Sequence, residues 1–213
     1  MSPSNPGAVT RWWWVRHAPV TCHDGRVYGQ NDLPCDVSDV LSFEGLARLL
    51  PQDAVWVTSS LQRTHLTARA IVRAGLAGPD PIPGPDVIVE HALAEQHFGE
   101  WQGLKYAELP VANHPFWIAP AHMAPPGGES FADLVQRVTT TIRGLTERFA
   151  GRDIIAVTHG GTIRAAIGEA LGLDPERALA VNIDNLSMTR LDHVAGSGTG
   201  HAWRVVTINR RPR

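Results

Sequence analysis

Four short stretches of the 213-residue chain carry side chains suited to holding an oxyanion, and each follows an apolar run. Arg16 and His17 come after Trp12 to Val15, and Ser59 to Arg63 after a run that starts at Ala54. His159, Gly160 and Gly161 come after Ile154 to Thr158, and from Val87 to Val89 the chain turns through His91 to Glu95. Two guanidiniums and two imidazoles suit a dianionic group with several oxygens, and a phosphoryl group fits that description. A histidine in such a pocket can attack phosphorus, while a nearby carboxylic acid protonates the leaving oxygen. The sequence has no GxxxxGK[ST] loop, no GxGxxG after its first apolar run and no acidic triplet for Mg²⁺. His91 and His97 match no zinc spacing, and there is no HExxH or Cys/His cluster. Neither a metal nor a cofactor is expected.

The elements that must position these residues can be read from periodicity. Strands are expected at Trp12 to Val15, Ala54 to Val57, Val87 to Val89, Ile154 to Val157, Ser187 to Leu191 and Trp203 to Ile208. Helices are expected from Leu61 to Ala74, from Thr162 to Leu171, and after Ser130. In the last of these Phe131, Leu134, Val135, Val138, Ile142, Leu145 and Phe149 recur at helical spacing, and Ser130 with Asp133 forms a capping box. Strand and helix alternate, which predicts an α/β three-layer sandwich with a mostly parallel central sheet flanked by helices on both faces. The tryptophans of Trp12 to Trp14 then read as core of a central strand. Such sheets bind ligands at the carboxyl ends of their strands, where the four stretches lie. A single domain over 1–213 is the simplest organisation, with the Pro/Gly-rich segment 104–128 as a lid or insertion over the site.

Composition sets the remaining bounds. The net charge of −2 gives no global field to attract nucleic acid or an anionic membrane, so recognition must be local. There are ten histidines, and Lys105 is the only lysine beside eighteen arginines, a bias that genomic base composition would also produce. Cys22 and Cys35 form no framework pattern, which favours a reduced, cytoplasmic setting. The first ten residues lack a charged stretch followed by an apolar one, and no later run approaches membrane-spanning length, so a soluble protein that is not exported is expected. A homodimer stays open as an assembly.

Five motifs in order along the chain resemble those of the histidine phosphatase superfamily, the phosphoglycerate mutase-like family. They are Val15-Arg16-His17-Ala18-Pro19, Ser59-Ser60-Leu61-Gln62-Arg63 with Thr67-Ala68, the segment Leu93 to Gly103, Pro125 to Ser130, and Val157 to Arg164. The resemblance implies that His17 is the nucleophile that becomes phosphohistidine. It implies that Arg16, Arg63 and His159 bind the phosphoryl oxygens, and that Glu95 protonates the departing alkoxide and then activates water. Its members need no metal for this.

Several positions depart from the family pattern. Ala18 stands where Gly is usual, Val20 and His23 where Thr and Asn are frequent, and Ser60 where Pro is frequent. His23, Gly160 and Trp117 are possible substrate contacts, as are His97, His114 and His122. His65, His91, His193 and His201 read as structural or surface residues, and Arg164 as either surface charge, helix packing or part of the site. Gln96 follows the acid where the mutases carry Arg, and segment 104–126 holds Lys105 and no arginine, which favours hydrolysis. The expectation is therefore a phosphomonoester hydrolase acting on a small phosphorylated metabolite. Phe116, Trp117, Ile118 and Met123 would suit a partly apolar leaving group, such as α-ribazole phosphate or a sugar phosphate. The alternatives are a cofactor-dependent phosphoglycerate mutase and a non-catalytic phosphate-binding module.

Overall fold

The computed structural model describes residues 7–110, 119–196 and 202–213. Its six strands are β1 (Val9–Arg16), β2 (Val55–Thr58), β3 (Val87–Val89), β4 (Asp153–Thr158), β5 (Met188–Val194) and β6 (Trp203–Arg210). They form one sheet in the order β3-β2-β4-β1-β5-β6. The pairs β1 with β4, β4 with β2 and β2 with β3 are parallel, whereas β5 pairs antiparallel with β1 and with β6. Four carboxyl ends therefore open on one edge. Strand register sets the site directly, because Arg16 lies opposite Thr158 and Thr58 opposite Val157, which makes His17, His159 and Ser59 neighbours.

Alternation along the central strands sends side chains into two separate cores. Trp12, Trp14, Ile154, Ala156 and Val57 face one side, where they meet α3 (Phe131–Arg148), α4 (Gly160–Leu171) and α5 (Pro175–Leu179). Val15, Ile155, Val157 and Trp56 face the other, packed by α1 (Val40–Leu49) and α2 (Gln62–Arg73). This is the three-layer α/β arrangement. Trp12 and Trp14, two residues apart on one face, stack with ring centroids 4.6 Å apart and planes 6° from parallel. The Trp12 indole N–H donates to Thr146 Oγ1 at 2.9 Å, so its polar atom is satisfied inside the core.

Local chemistry fixes the helix starts. Ser130 Oγ accepts from the Asp133 amide at 3.1 Å, and Asp133 Oδ2 accepts from the Ser130 amide at 2.9 Å, so the capping box of α3 is complete. The helices α1 and α5 were not expected. Both had readable signals: Asp39 caps α1 ahead of Phe43, Leu46, Ala47 and Leu50, and Asp174 caps α5 with Pro175 in its first turn.

Candidate active site

His17 stands one residue beyond β1. Its amide donates to Thr158 O at 2.9 Å, and its carbonyl accepts from Asn185 Nδ2 at 2.8 Å, so the backbone is held from both sides. Its Nδ1 lies 2.7 Å from Ala18 O. A carbonyl can only accept, so Nδ1 carries the proton and Nε2 keeps its lone pair. Burial, and then the charges of Arg63 and Arg16, hold the His17 pKa well below 6.5, which keeps the ring neutral. Ala18 donates its amide to Thr67 Oγ1 at 2.9 Å and lies outside the positive-φ region, so its methyl introduces no backbone strain.

Three further nitrogens are buried here with no hydrogen-bond partner among the described residues: Arg16 Nε, Arg63 Nε and His159 Nδ1. Both outer nitrogens of Arg63 and one of Arg16 are anchored. Arg63 donates through Nη1 to Asn31 O at 3.0 Å and through Nη2 to Gly29 O at 2.6 Å, and Arg16 donates through Nη1 to Ile183 O at 2.5 Å. The Arg63 guanidinium also lies over the Tyr28 ring, 5.1 Å from its centroid. His159 Nε2 is 2.7 Å from Ser59 Oγ, which accepts from the Leu61 amide at 3.2 Å. Ser59 Oγ also lies 3.3 Å from Thr64 Oγ1, and when its hydroxyl donates to Nε2 the His159 proton sits on Nδ1, the tautomer able to donate to an oxyanion. Burial, then Arg63, His17, Arg16 and Arg137, lower the His159 pKa well below 6.5, so this ring too is neutral. The His17 and His159 ring centroids are 5.2 Å apart. A buried donor left unpaired costs about 1–3 kcal/mol. An oxyanion would offset that cost at all three.

Glu95 reaches the pocket from the segment after β3. Its Oε1 accepts from the Gln96 amide at 3.0 Å and its Oε2 from the Gly161 amide at 3.4 Å. The segment is pinned along its length. Leu93 O accepts from Thr158 Oγ1 at 2.8 Å and Thr162 Oγ1 at 3.1 Å, and Arg137 donates to Ala92 O at 2.7 Å and Glu95 O at 3.0 Å. Arg137 in turn forks onto Glu129, at 2.9 Å through Nε and 2.6 Å through Nη2. Gln30 Nε2 adds a bond of 2.8 Å to Glu95 O.

The structure thus brings Arg16, His17, Arg63, Glu95, His159 and Gly160 to one sheet edge. His23 sits one step out, its ring 5.4 Å from that of Tyr28, with Nδ1 buried and unpartnered among the described residues. Trp117, His114 and His201 lie outside the described residues. His65 Nε2 donates to Ser59 O at 2.8 Å and His193 packs edge-on against Trp203, so both are structural. The supports Ser59, Thr67, Asn185 and the Glu129–Arg137 pair were not foreseen as such. Among the described residues no three His, Cys, Asp or Glu are grouped to hold a metal ion, and no helix is long and apolar enough to cross a membrane.

The model of the histidine phosphatase superfamily, branch 1, matches residues 12–209. The 2,3-bisphosphoglycerate-dependent phosphoglycerate mutase 2 of Gloeobacter violaceus is 35% identical over 154 residues, 67% of this chain and 65% of that protein. The glucosyl-3-phosphoglycerate phosphatase of Mycolicibacterium vanbaalenii is 32% identical over 225 residues, 94% of this chain and 95% of that protein. Of other curated relatives that match, the chain spans about half the length, 53%. The solved native structure of mycobacterial glucosyl-3-phosphoglycerate phosphatase superposes with a TM-score of 0.76 at 27% identity, covering 95% of this chain and 99% of that one.

Proposed function

Because the chain belongs to the histidine phosphatase superfamily, we propose that it is a metal-independent phosphomonoester hydrolase working through a phosphohistidine at His17. The observation that carries this reading is a neutral His17 with Nε2 free, beside three orphaned donors on Arg16, Arg63 and His159. Nε2 attacks phosphorus, the P–O ester bond breaks, and Glu95 gives its proton to the departing alkoxide. The guanidiniums and His159 Nδ1–H take up the charge spread over the phosphoryl oxygens. Water then loses a proton to Glu95 and attacks phosphorus, the P–N bond breaks, and its electron pair returns to Nε2. Arg16 and Arg63 supply the positive charge that a metal would otherwise bring.

Hydrolysis is favoured over phosphoryl transfer between positions of a sugar acid. Gln96 follows Glu95, is buried, and spends its amide on Glu129 O at 2.9 Å, so no cation extends from this position. A non-catalytic binding module would need neither the free Nε2 nor the pinned carboxylate. Segment 104–128 acts in this reading as a lid, although the Phe116 to Ile118 stretch expected to meet an apolar leaving group lies outside the described residues. His23 and Gly160 line the approach. Both cysteines are unpaired, which suits the cytoplasm.

The test is hydrolysis of p-nitrophenyl phosphate with EDTA present, compared with His17→Ala. Hydrolysis in EDTA, its loss in the variant, and acid-labile phosphate trapped on His17 are expected. Activity that requires a metal, or survives the alanine, would refute the mechanism. If 2,3-bisphosphoglycerate makes phosphoglycerate interconversion outpace phosphate release, the mutase reading replaces it.

A further inference from the structure

Among the described residues, non-glycine side chains sit at positive φ in three places, Asp24, Leu186 and Asn209. A left-handed backbone is tolerated by Asp and Asn but is unfavourable for Leu, and it persists only where the surroundings over-determine it. Leu186 (φ 58°) and Asn209 (φ 54°) belong to one junction. Leu186 lies in the turn that leads into β5, residues 183–187, and Asn209 lies at the end of the edge strand β6, which pairs with β5.

The inner side of this turn grips the residues that follow β1. The Arg16 amide donates to Ser187 O at 3.2 Å, its carbonyl accepts from the Leu186 amide at 3.0 Å, and its Nη1 donates to Ile183 O. Asn185 Nδ2 donates to His17 O, and just before the turn Val181 O accepts from Arg164 Nε at 2.8 Å. The outer side of the turn is held by Asn209. Its Oδ1 accepts from the Asp184 amide at 2.6 Å, and its Nδ2 donates to Asp184 Oδ2 at 3.2 Å. The Asn209 amide donates to Thr189 Oγ1 at 3.1 Å, and Thr189 is buried, so the anchor is itself fixed within the sheet. Beyond it Arg211 donates to Asp184 Oδ2 at 3.0 and 2.9 Å, and Pro212 rests against Gly45 of α1. The Arg211 side chain is 72% exposed, so that pair adds little, whereas both polar atoms of the Asn209 side chain are spent on Asp184.

We propose that Asn209 is a positioning residue for the phosphoryl site, acting from the edge strand through Asp184 and the turn 183–187 on Arg16 and His17. A neutral amide is the group this task requires, since its carbonyl end accepts from a backbone N–H while its other end donates to a carboxylate. An aspartate would supply only the first bond and would set a second negative charge beside Asp184. Arg16 and His17 act on the phosphoryl group whatever the leaving group, so a displaced turn lowers the rate uniformly, unlike the loss of Glu95. A shift of about 1 Å in groups of this kind costs up to about 10² in rate. The proposal rests on the hydrolase reading and extends its apparatus to a strand that carries none of the pocket.

The experiment uses Asn209→Gly, because glycine adopts the positive φ without strain and only the side-chain bonds are lost. Values of kcat and KM for p-nitrophenyl phosphate and glycerol 3-phosphate, and inhibition by inorganic phosphate, are measured in EDTA at a temperature where the variant is fully folded. Asn209→Gly should lower kcat/KM for both esters by the same factor, about tenfold or more, and weaken inhibition by phosphate. Ile142→Val, a change in the buried face of α3, should lower the urea midpoint and leave kcat and KM as they are. Combined with Asn185→Ala, Asn209→Gly should cost less than the product of the two separate factors, since both act through one turn. Wild-type constants in Asn209→Gly, a loss confined to glycerol 3-phosphate, or factors that multiply with Asn185→Ala would each overturn the assignment. If Asn209→Gly does not fold, Asp184→Ala replaces it: the side chain removed is 29% exposed, a smaller uniform loss is expected, and unchanged constants would overturn the proposal. A wild type that hydrolyses neither ester means that the hydrolase reading itself fails, which is distinguishable from an active enzyme indifferent to Asn209.

Discussion

Glu95 and His17 divide the chemistry in a way that kinetics can separate. An alkoxide leaving group needs the proton of Glu95, while a nitrophenolate leaves without it. Glu95→Gln should therefore lower turnover of alkyl phosphates by on the order of 10² to 10⁴ and that of p-nitrophenyl phosphate much less. Equal losses on both would remove Glu95 from the role of acid. The residue types at these positions were readable in the sequence because each follows a short apolar run and lies within a few residues of a strand end. Asn185 was not readable: it holds the His17 carbonyl across 168 positions, and nothing local to it marks that contact. Arg137 was hidden for a similar reason. It lies on a helix whose periodicity accounts for the apolar neighbours alone, while its own bonds reach the Glu95 segment 42 residues away.

At the scale of elements, the start of α4 and the segment after β3 form one unit. A methyl group on Gly161 would collide with the Glu95 carboxylate and press on Leu134 Cδ1, at 3.2 Å. Gly161→Ala should mimic Glu95→Gln in its dependence on leaving group, with thermal stability changed far less than turnover; a variant that keeps full activity on alkyl phosphates would show that this carboxylate position is not needed. Arg137→Met tests the other side of the same unit. Removing its charged hydrogen bonds should cost about 2–3 kcal/mol in urea unfolding and lower turnover of alkyl phosphates, and unchanged stability would contradict the clamp. The strands were legible because central parallel strands are apolar on both faces, as in Trp12 to Val15 and Ile154 to Val157. The helix α1 was missed although Phe43, Leu46, Ala47 and Leu50 carry its pattern, because its start at Val40 and Leu41 is exposed and blurs the amphipathic stripe. The five-residue α5 is too short for periodicity to register, and only its Asp174-Pro175 start marks it.

For the molecule as a whole, two buried neutral histidines tie stability to pH. His17 and His159 are held well below 6.5 in the fold, whereas in the unfolded chain they take up protons near that value. Below 6.5 the unfolded state thus binds more protons, and stability falls with pH by up to about 1.4 kcal/mol per unit for each group. The full contribution is present above 6.5. Asp133, Asp184 and Asp192 have pKa values below 3.8, so their losses begin at lower pH and leave the window from 6.5 to about 5 to histidines. Urea midpoints should drop between pH 7.5 and 5.5, and His17→Asn should flatten the slope; an identical slope in the variant would mean that His17 is already charged in the fold. The stacked Trp12 and Trp14 offer an optical readout of that unfolding. Two indoles 4.6 Å apart and nearly parallel couple their electronic transitions, and such coupling produces a paired circular-dichroism band that separated rings do not. Both rings are on β1, the strand that ends in Arg16 and leads to His17. Loss of the paired band would therefore record the moment at which the strand carrying the nucleophile comes apart, independently of any substrate.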